Sequence, residues 1–293
     1  MQSRLSKEQV RQIGADGYYF PLPALSGDEA QACRDRLEHY EKETGHPING
    51  TQRLKVNLLM KWADDLMRDP RILDPVEDLV GPNILCWGAH LFIKEARSPS
   101  FISWHQDSQY WGLDSANIYT AWIALSSATL HSGCMSMARG SHLQQLPHVD
   151  TFDPNNMLTR GQSITEGIDD DKTVAIQLAP GEMSLHNVRI AHSSTPNRSD
   201  DRRIGIAFRY MPTSTRQQLA DWDTASLVRG EDLYGHFIHE PRPRHDFDPE
   251  CVAFHARSIE NEMSFLIPKD VKTSVQSLTY VAMVDELGRN GGQ

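Results

Sequence analysis

Trp104-His105-Gln106-Asp107 sets an imidazole and a carboxylate two residues apart in a run of strand-forming residues. Side chains alternate across a strand, so His105 and Asp107 project from one face while Gln106 points to the other. One further histidine completes a two-histidine, one-carboxylate set, which leaves three adjacent positions open on a non-haem Fe(II) ion. That is room for a bidentate cosubstrate and O2. A histidine is available downstream at His192, and an arginine follows at Arg203. The spacing points to an Fe(II)-dependent oxygenase, with a core histidine beside a turn-forming aspartate as the plainer alternative.

The bare pattern is weak, because the chain has 13 histidines and repeats it at His148-Val149-Asp150, with a glutamate version at His39-Tyr40-Glu41. His39 and Glu41 fall in a helical pattern, where residues two apart diverge. His148 follows Pro147 and precedes Asp153-Pro154-Asn155-Asn156, so it reads as loop. Only His105 and Asp107 sit in a strand context with aromatic flanks.

Around that motif the chain changes grammar at Asn83. Strands are expected at 84–93, 102–106, 118–125, 134–138, 173–178, 183–186 and 203–211, all rich in β-branched, aromatic or large apolar residues. Turn formers such as Ser98-Pro99-Ser100, Arg139-Gly140-Ser141 and Ala179-Pro180-Gly181 separate them. Before Asn83 the pattern is helical. Ser6-x-x-Gln9 and Ser26-x-x-Glu29 read as capping boxes, and Asp69-Pro70 opens a helix that Gly81-Pro82 stops. Helices followed by strands predict an α+β chain, mainly β, whose helices brace a β-sandwich or barrel. Segment 144–172 is polar, without periodicity, and reads as a loop that serves as an active-site lid. After Pro212 the signal fades, and Pro241-Arg242-Pro243-Arg244 is expected to be an extended surface segment. A single domain over 1–293 is expected, with a helical part to about 82, a β core to about 215 and a C-terminal extension beyond.

A formal net charge of -10 without a basic block argues against a nucleic-acid partner. Cys33, Cys86, Cys134 and Cys251 show no C-x-x-C pairing, as expected of reduced cysteines in a cytoplasmic protein. No apolar run approaches membrane-spanning length and no signal region opens the chain, so no membrane partner is expected.

Trp104-His105-Gln106-Asp107, Tyr110-Trp111-Gly112-Leu113, Thr120-Ala121-Trp122, Ser132-Gly133-Cys134-Met135, Gly140-Ser141-His142 and His192-Ser193-Ser194 with Arg203 form an ordered set. That set resembles the phytanoyl-CoA dioxygenase family from about Gly81 to Met211. The resemblance implies a double-stranded β-helix (jelly-roll) core, Fe(II), 2-oxoglutarate as cosubstrate, O2, and hydroxylation of a C–H bond with release of succinate and CO2. It implies His105, Asp107 and His192 as ligands. His186 competes for the third place, but the family carries an arginine eleven residues beyond its distal histidine. Counting from His192 reaches Arg203, whereas counting from His186 reaches Asn197, which is no cation.

By the same resemblance Arg203 offers its planar fork to the distal carboxylate of 2-oxoglutarate, while Arg202 better fits a solvated charge. Ser194 and Lys94 join Arg203, and Trp122 lines that pocket; an edge-strand surface lysine and a plain core tryptophan are the alternatives. Gln109 and Tyr110 beyond the motif, and Asn57 and Lys55 in the N-terminal part, are expected to meet the substrate. Asp107 stands where halogenating relatives carry a small residue, which disfavours halogenation. The C-terminal Asn290-Gly291-Gly292-Gln293 is no peroxisomal signal and no basic cluster awaits a CoA, so a small free metabolite is the expected substrate. Desaturation or ring closure by the same metal chemistry, and a non-catalytic metal-holding cupin-like barrel, are the competing readings.

Overall fold

The computed structural model describes residues 4–267; residues 1–3 and 268–293, including the C-terminal tetrapeptide considered above, lie outside the described residues. Helix α1 (Lys7–Asp16) starts at the expected capping box, with Ser6 and Gln9 each accepting the other's backbone N–H, and ends at Gly17 with φ 86°. After strand β1 (Tyr18–Pro23), the same reciprocal cap between Ser26 and Glu29 opens α2 (Gly27–Thr44). Such caps satisfy backbone donors that the first helical turn leaves unpaired. Helix α3 (Lys61–Met67) was not foreseen, whereas α4 (Pro70–Val80) begins under the Asp69 cap and ends at Gly81 as expected.

The strands that follow are β2 (Ile84–Lys94), β3 (Ile102–His105), β4 (Tyr119–Ala124), β5 (Met135–Ala138), β6 (His148–Asp150), β7 (Gln162–Ile164) and β8 (Thr173–Ile176). Then come β9 (Glu182–Asn187), β10 (His192–Ser194), β11 (Arg203–Pro212), β12 (Thr224–Arg229), β13 (Ile238–His239) and helix α5 (Pro249–Leu266). Seven strands form one sheet in the order β1-β9-β4-β11-β2-β12-β13, and four form a second, β3-β10-β5-β8. Every pairing is antiparallel except β12 with β13. The molecule is thus mixed helix and sheet with mainly antiparallel sheets.

Alternation along the strands sorts the large sheet into two faces. Ile204, Ile206 and Phe208 of β11, Ala121 and Ile123 of β4, and Ala89, Leu91 and Ile93 of β2 share one core with Leu37, Leu73 and Val76 of the helices. Burying an aromatic side chain such as Phe208 contributes about 1.5–3 kcal/mol, which is what holds the helices on that face. The opposite face carries Trp122 and Ala207, which pack against Met135, Met137 and Ile176 of the small sheet. A cavity of about 150 Å³ lies between the sheets, lined from both.

Segment 144–172 is more ordered than expected. It contains the hairpin pair β6–β7, so His148 stands on a strand rather than in a loop. Met157, Leu158, Thr159 and Gln162 from this segment do line the cavity. Two further elements went unforeseen: β12 extends the large sheet beside β2, and α5 closes the cavity's far end with Glu262, Met263 and Leu266. Pro241-Arg242-Pro243-Arg244 lacks regular structure, as expected, but is pinned by Arg242 on Asp64 and Arg244 on Asp248.

Candidate metal centre

His105 ends β3 and His192 begins β10, and the antiparallel register sets them directly opposite each other. Facing residues of paired strands bring their side chains together, and the two imidazole centroids lie 4.1 Å apart. The chain then leaves β3 in a single 3-10 turn, Asp107–Gln109, which turns the Asp107 carboxylate back toward the rings. His105 Nε2 and Asp107 Oδ1 are 3.3 Å apart. One ligand atom from each of His105, Asp107 and His192 falls within 4.8 Å of the others, the one such cluster among the described residues.

The backbone holds both rings by the nitrogen that faces away from the cluster. His105 Nδ1 donates to Ser103 O at 3.0 Å, and His192 Nδ1 donates to Ile190 O at 3.1 Å. A carbonyl only accepts, so each Nδ1 carries the hydrogen and each Nε2 keeps a free lone pair. Metal-binding histidines are oriented in this way. Gln106, on the other face of the strand, is completely buried. Its Nε2 donates to the carbonyls of Ser141, Gln144 and Arg189, and its Oε1 accepts from Leu146 N. Ser141 Oγ in turn accepts from Ala191 N at 2.8 Å. Strand β3 and the approach to His192 are thereby tied to one loop.

Burial pushes the His192 imidazole down to about 4, with His105 beside it acting in the same sense. For Asp107, burial acts upward, but the neighbouring His105 and His192 outweigh it and hold the carboxyl below its usual range. Neutral imidazoles and an ionised carboxylate are the forms that bind a metal. His186 stands nearby on β9, its ring 5.3 Å from that of His192 and its Nδ1 without a partner. Burial and then the neighbouring His192 push it down to about 3. It is not one of the three clustered residues.

A second group lies farther along the cavity. Arg203 and Lys94 face each other across β11 and β2, and both are completely buried rather than exposed at an edge. Lys94 Nζ donates to Ser194 Oγ at 2.7 Å and to the Thr195 carbonyl. The Arg203 guanidinium lies over Trp122, 5.4 Å from its centroid. Gly205 makes room for that indole, since a Cβ there would come within 2.0 Å of Trp122 Cζ2. Arg203 Nε and Nη2 have no partner, and no carboxylate among the described residues pairs with Arg203 or Lys94. Burial pushes Arg203 down to about 10; burial and then Arg203 push Lys94 down to about 6. A buried guanidinium without an anion, beside a lysine that an arriving anion would charge, forms a receptor for one.

Four expected positions need correction. Lys55 does not reach the cavity: its ammonium donates to Glu240 Oε1 at 2.8 Å, Trp87 O at 2.7 Å and Thr224 O at 3.1 Å. Asn57 donates to the other oxygen of Glu240 at 2.9 Å. Both side chains are turned into this knot by the chain between α2 and α3. Gln109 is exposed, because the 3-10 turn that directs Asp107 inward carries it outward, where it accepts from Gln145. Arg202 is ion-paired to Glu41 and Glu95 rather than solvated. Tyr110 does line the cavity, between Arg160 and the edge of His148. His148 Nε2 accepts from Gln106 N, and Asp150 is held by Arg160, so the second H-x-D pair is engaged elsewhere. The cavity also presents Trp87, His90, Arg209 and Glu262, which the sequence reading had not singled out.

With this geometry the comparisons agree. The chain matches the Phytanoyl-CoA dioxygenase (PhyH) family over residues 14–205. It is 26% identical over 214 residues, 72% of this chain and 73% of the relative, to a protein of Stutzerimonas stutzeri described as a probable alpha-ketoglutarate-dependent hypophosphite dioxygenase. Among solved structures it is similar to the apo form of the non-heme monooxygenase ThoJ, with 34% identity, a TM-score of 0.78, and coverage of 88% of this chain and 97% of that one. It is also similar to the non-heme alpha ketoglutarate dependent carbocyclase SnoK from nogalamycin biosynthesis, 25% identical with a TM-score of 0.58 over 73% of this chain and 87% of that one. The fold and site define an oxidoreductase of the 2-oxoglutarate-dependent dioxygenase class. Within that class the chain belongs to the phytanoyl-CoA dioxygenase family.

Proposed function

We propose that the chain is an Fe(II)- and 2-oxoglutarate-dependent oxygenase, one domain on a double-stranded β-helix core, that hydroxylates an unactivated C–H bond of a small metabolite. The balance is one substrate C–H, one O2 and one 2-oxoglutarate giving one alcohol, succinate and CO2. The observation that carries this reading is the pairing of a three-residue N,N,O cluster with a buried, unpartnered guanidinium in one cavity. His105 and His192 would hold the metal through Nε2 and Asp107 through its carboxylate, with Ser103 O and Ile190 O fixing the rings. Bound iron supplies the activation of O2 coupled to decarboxylation of the keto acid.

The protein's own part is positioning and exclusion of water. Arg203 presents its fork to the distal carboxylate of 2-oxoglutarate, Ser194 its hydroxyl, and Lys94 a second cation that the bound anion would keep protonated. Trp122 walls that end, and Tyr110 with the 157–162 segment covers the metal side. A barrel that merely stores metal has no use for a buried guanidinium whose charge nothing answers, so turnover is favoured over an inert role. The likeness to a carbocyclase supports ring closure as the second reading. Succinate release on incubation with a metabolite panel tests turnover, and product mass separates the two. Gain of one oxygen supports hydroxylation, and loss of two hydrogens supports ring closure or desaturation. Iron-loaded protein that never releases succinate above its substrate-free level would contradict both.

A further inference from the structure

The oxygenase reading leaves one end of the cavity without a task. Arg209 lies six residues beyond Arg203 on β11 and on the same inward face, about 20 Å away at roughly 3.4 Å per residue. Between them on that face stand Gly205 and Ala207, with the Trp122 indole lying over Gly205. Arg209 is buried, lies 4.5 Å above the Trp111 ring, and has no partner for its Nε. Its Nη1 donates to His90 Nδ1. Arginine never accepts, so His90 Nδ1 must be the acceptor and Nε2 carries the hydrogen. That N–H is also buried without a partner. Gly88 leaves space beside both groups, since a Cβ there would sit 3.0 Å from His90 Nε2 and 3.2 Å from Arg209 Nη1.

From α5, Glu262 brings a buried oxygen, Oε2, that likewise has no partner. Its charge and that of Arg209 act on each other, yet no hydrogen bond joins them. Two unanswered donors and one unanswered acceptor therefore converge on one end of the cavity, against Trp87 and Trp111 at 5.1 Å centroid separation. Arg209, His90 and Glu262 line the same cavity as His105, Asp107 and His192. Buried polar groups are rarely left unmatched without a ligand to match them.

Resting on the oxygenase reading, we infer that Arg209, His90 and Glu262 form the substrate's recognition site, and that the substrate is a compact hydroxy or amino acid. Its carboxylate takes the free N–H groups of Arg209 and His90. Its hydroxyl or amino hydrogen is accepted by Glu262. Its apolar body lies on the Trp87–Trp111 wall, with the C–H bond to be oxidised turned toward His105, Asp107 and His192. Specificity follows because an ester or a deoxy analogue would leave one of these groups unanswered.

The test is equilibrium binding, by calorimetry without turnover, of three matched probes to the full chain held anaerobically with Fe(II) and saturating 2-oxoglutarate. The probes are phenyllactate, its methyl ester and 3-phenylpropionate. Phenyllactate should bind more tightly than the ester by about tenfold or more, the effect of one charge-assisted hydrogen bond. Arg209→Gln should erase that preference while leaving 2-oxoglutarate affinity within about twofold. Glu262→Leu, which keeps no acceptor, should bring phenyllactate down to the level of 3-phenylpropionate, and it keeps the test alive if Arg209→Gln fails to fold. Equal binding of acid and ester by the wild type, or no binding of any probe, would overturn the inference. So would an Arg209→Gln protein that loses 2-oxoglutarate but keeps its preference, since Arg209 would then serve the cosubstrate. A wild type that prefers the acid but never binds 2-oxoglutarate would instead break the oxygenase reading and leave this site standing.

Discussion

Two groups of charge are buried in this molecule, and they differ in whether they are answered. In the pair formed by Lys55 and Glu240, the ammonium has three acceptors, and both Glu240 oxygens have donors, with Asn57, Ser226 and Thr224 among them; only Asn57 Oδ1 goes without a partner. Along the cavity, by contrast, Arg203, Arg209, His90, His186 and Glu262 all keep polar atoms with no partner. Both groups bear the desolvation cost of burial. Only the first recovers it from the chain itself, so it reads as structure, joining the segment after α2 to β12 and the approach to α5. The second recovers it only when ligands arrive, so it reads as function. Burial alone does not identify a site; unanswered polar atoms gathered on one cavity do.

The sharpest break between the two regions is expected at the metal ligands. His192→Ala should lose Fe(II) binding and turnover together, because two remaining ligands make a poor Fe(II) site. His186→Ala should retain iron and part of the activity, and His148→Ala should retain both in full, by iron analysis and succinate release. An iron-free His148→Ala protein would move the site to the other H-x-D pair.

Cutting the answered knot should show the converse pattern. Glu240→Ala leaves Lys55 buried without its counter-charge, which costs on the order of 3–5 kcal/mol for a broken buried pair. Chemical denaturation should register that loss, while the 2-oxoglutarate affinity of the folded fraction stays near that of the wild type. An Arg203→Ala protein should do the reverse, losing cosubstrate affinity with little loss of stability. If Glu240→Ala were as stable as wild type yet failed to bind 2-oxoglutarate, the division of labour would be wrong.

A smaller effect concerns Glu262. Burial pushes its carboxyl up to about 7 from an ordinary 4.5, so between those values the folded state holds a proton that the unfolded chain has released. Stability then falls as pH rises from about 4.5 through about 7 and levels off above, by linkage. Denaturation midpoints of Glu262→Gln should lack that component, and the gap between variant and wild type should widen with pH across this window. A constant gap would place the Glu262 carboxyl in its ordinary range.

Much of this division was legible in the chain. The capping boxes at Ser6 and Ser26 and the turn formers between strands are local signals, so α1, α2, α4 and most core strands appear close to where they were read. The first two clustered residues were readable from their two-residue spacing, although β3 ends at His105 and a 3-10 turn rather than strand alternation aims Asp107. The third needed a family resemblance, because its partner lies across the sheet and not in the local sequence. His90 and Arg209 were within reach: the parity that turns Lys94 and Arg203 inward also turns them inward on the same strands. Glu262 was not, since nothing in the sequence of α5 says which element its face will meet. Lys55 and Asn57 misled for the same reason. Their neighbours after Pro212, β12 and Glu240, lay where periodicity had faded. His192–Ser194 is too short a strand to announce itself and is fixed by its pairing with β3 and β5.

The most direct measurement is an anaerobic titration of 2-oxoglutarate into the Fe(II)-loaded protein, followed by the weak visible band of a keto acid chelated to Fe(II). It compares wild type with Arg203→Ala, Arg203→Lys and Arg202→Ala. Loss of hydrogen bonds to a charged group, about 1.5–3 kcal/mol, predicts roughly ten- to over a hundred-fold weaker binding by Arg203→Ala. The lysine variant should fall in between, keeping the charge without the planar fork, and Arg202→Ala should titrate like the wild type. Identical titrations for wild type and Arg203→Ala would contradict the account, because the buried cation without an answer would then have no carboxylate to hold.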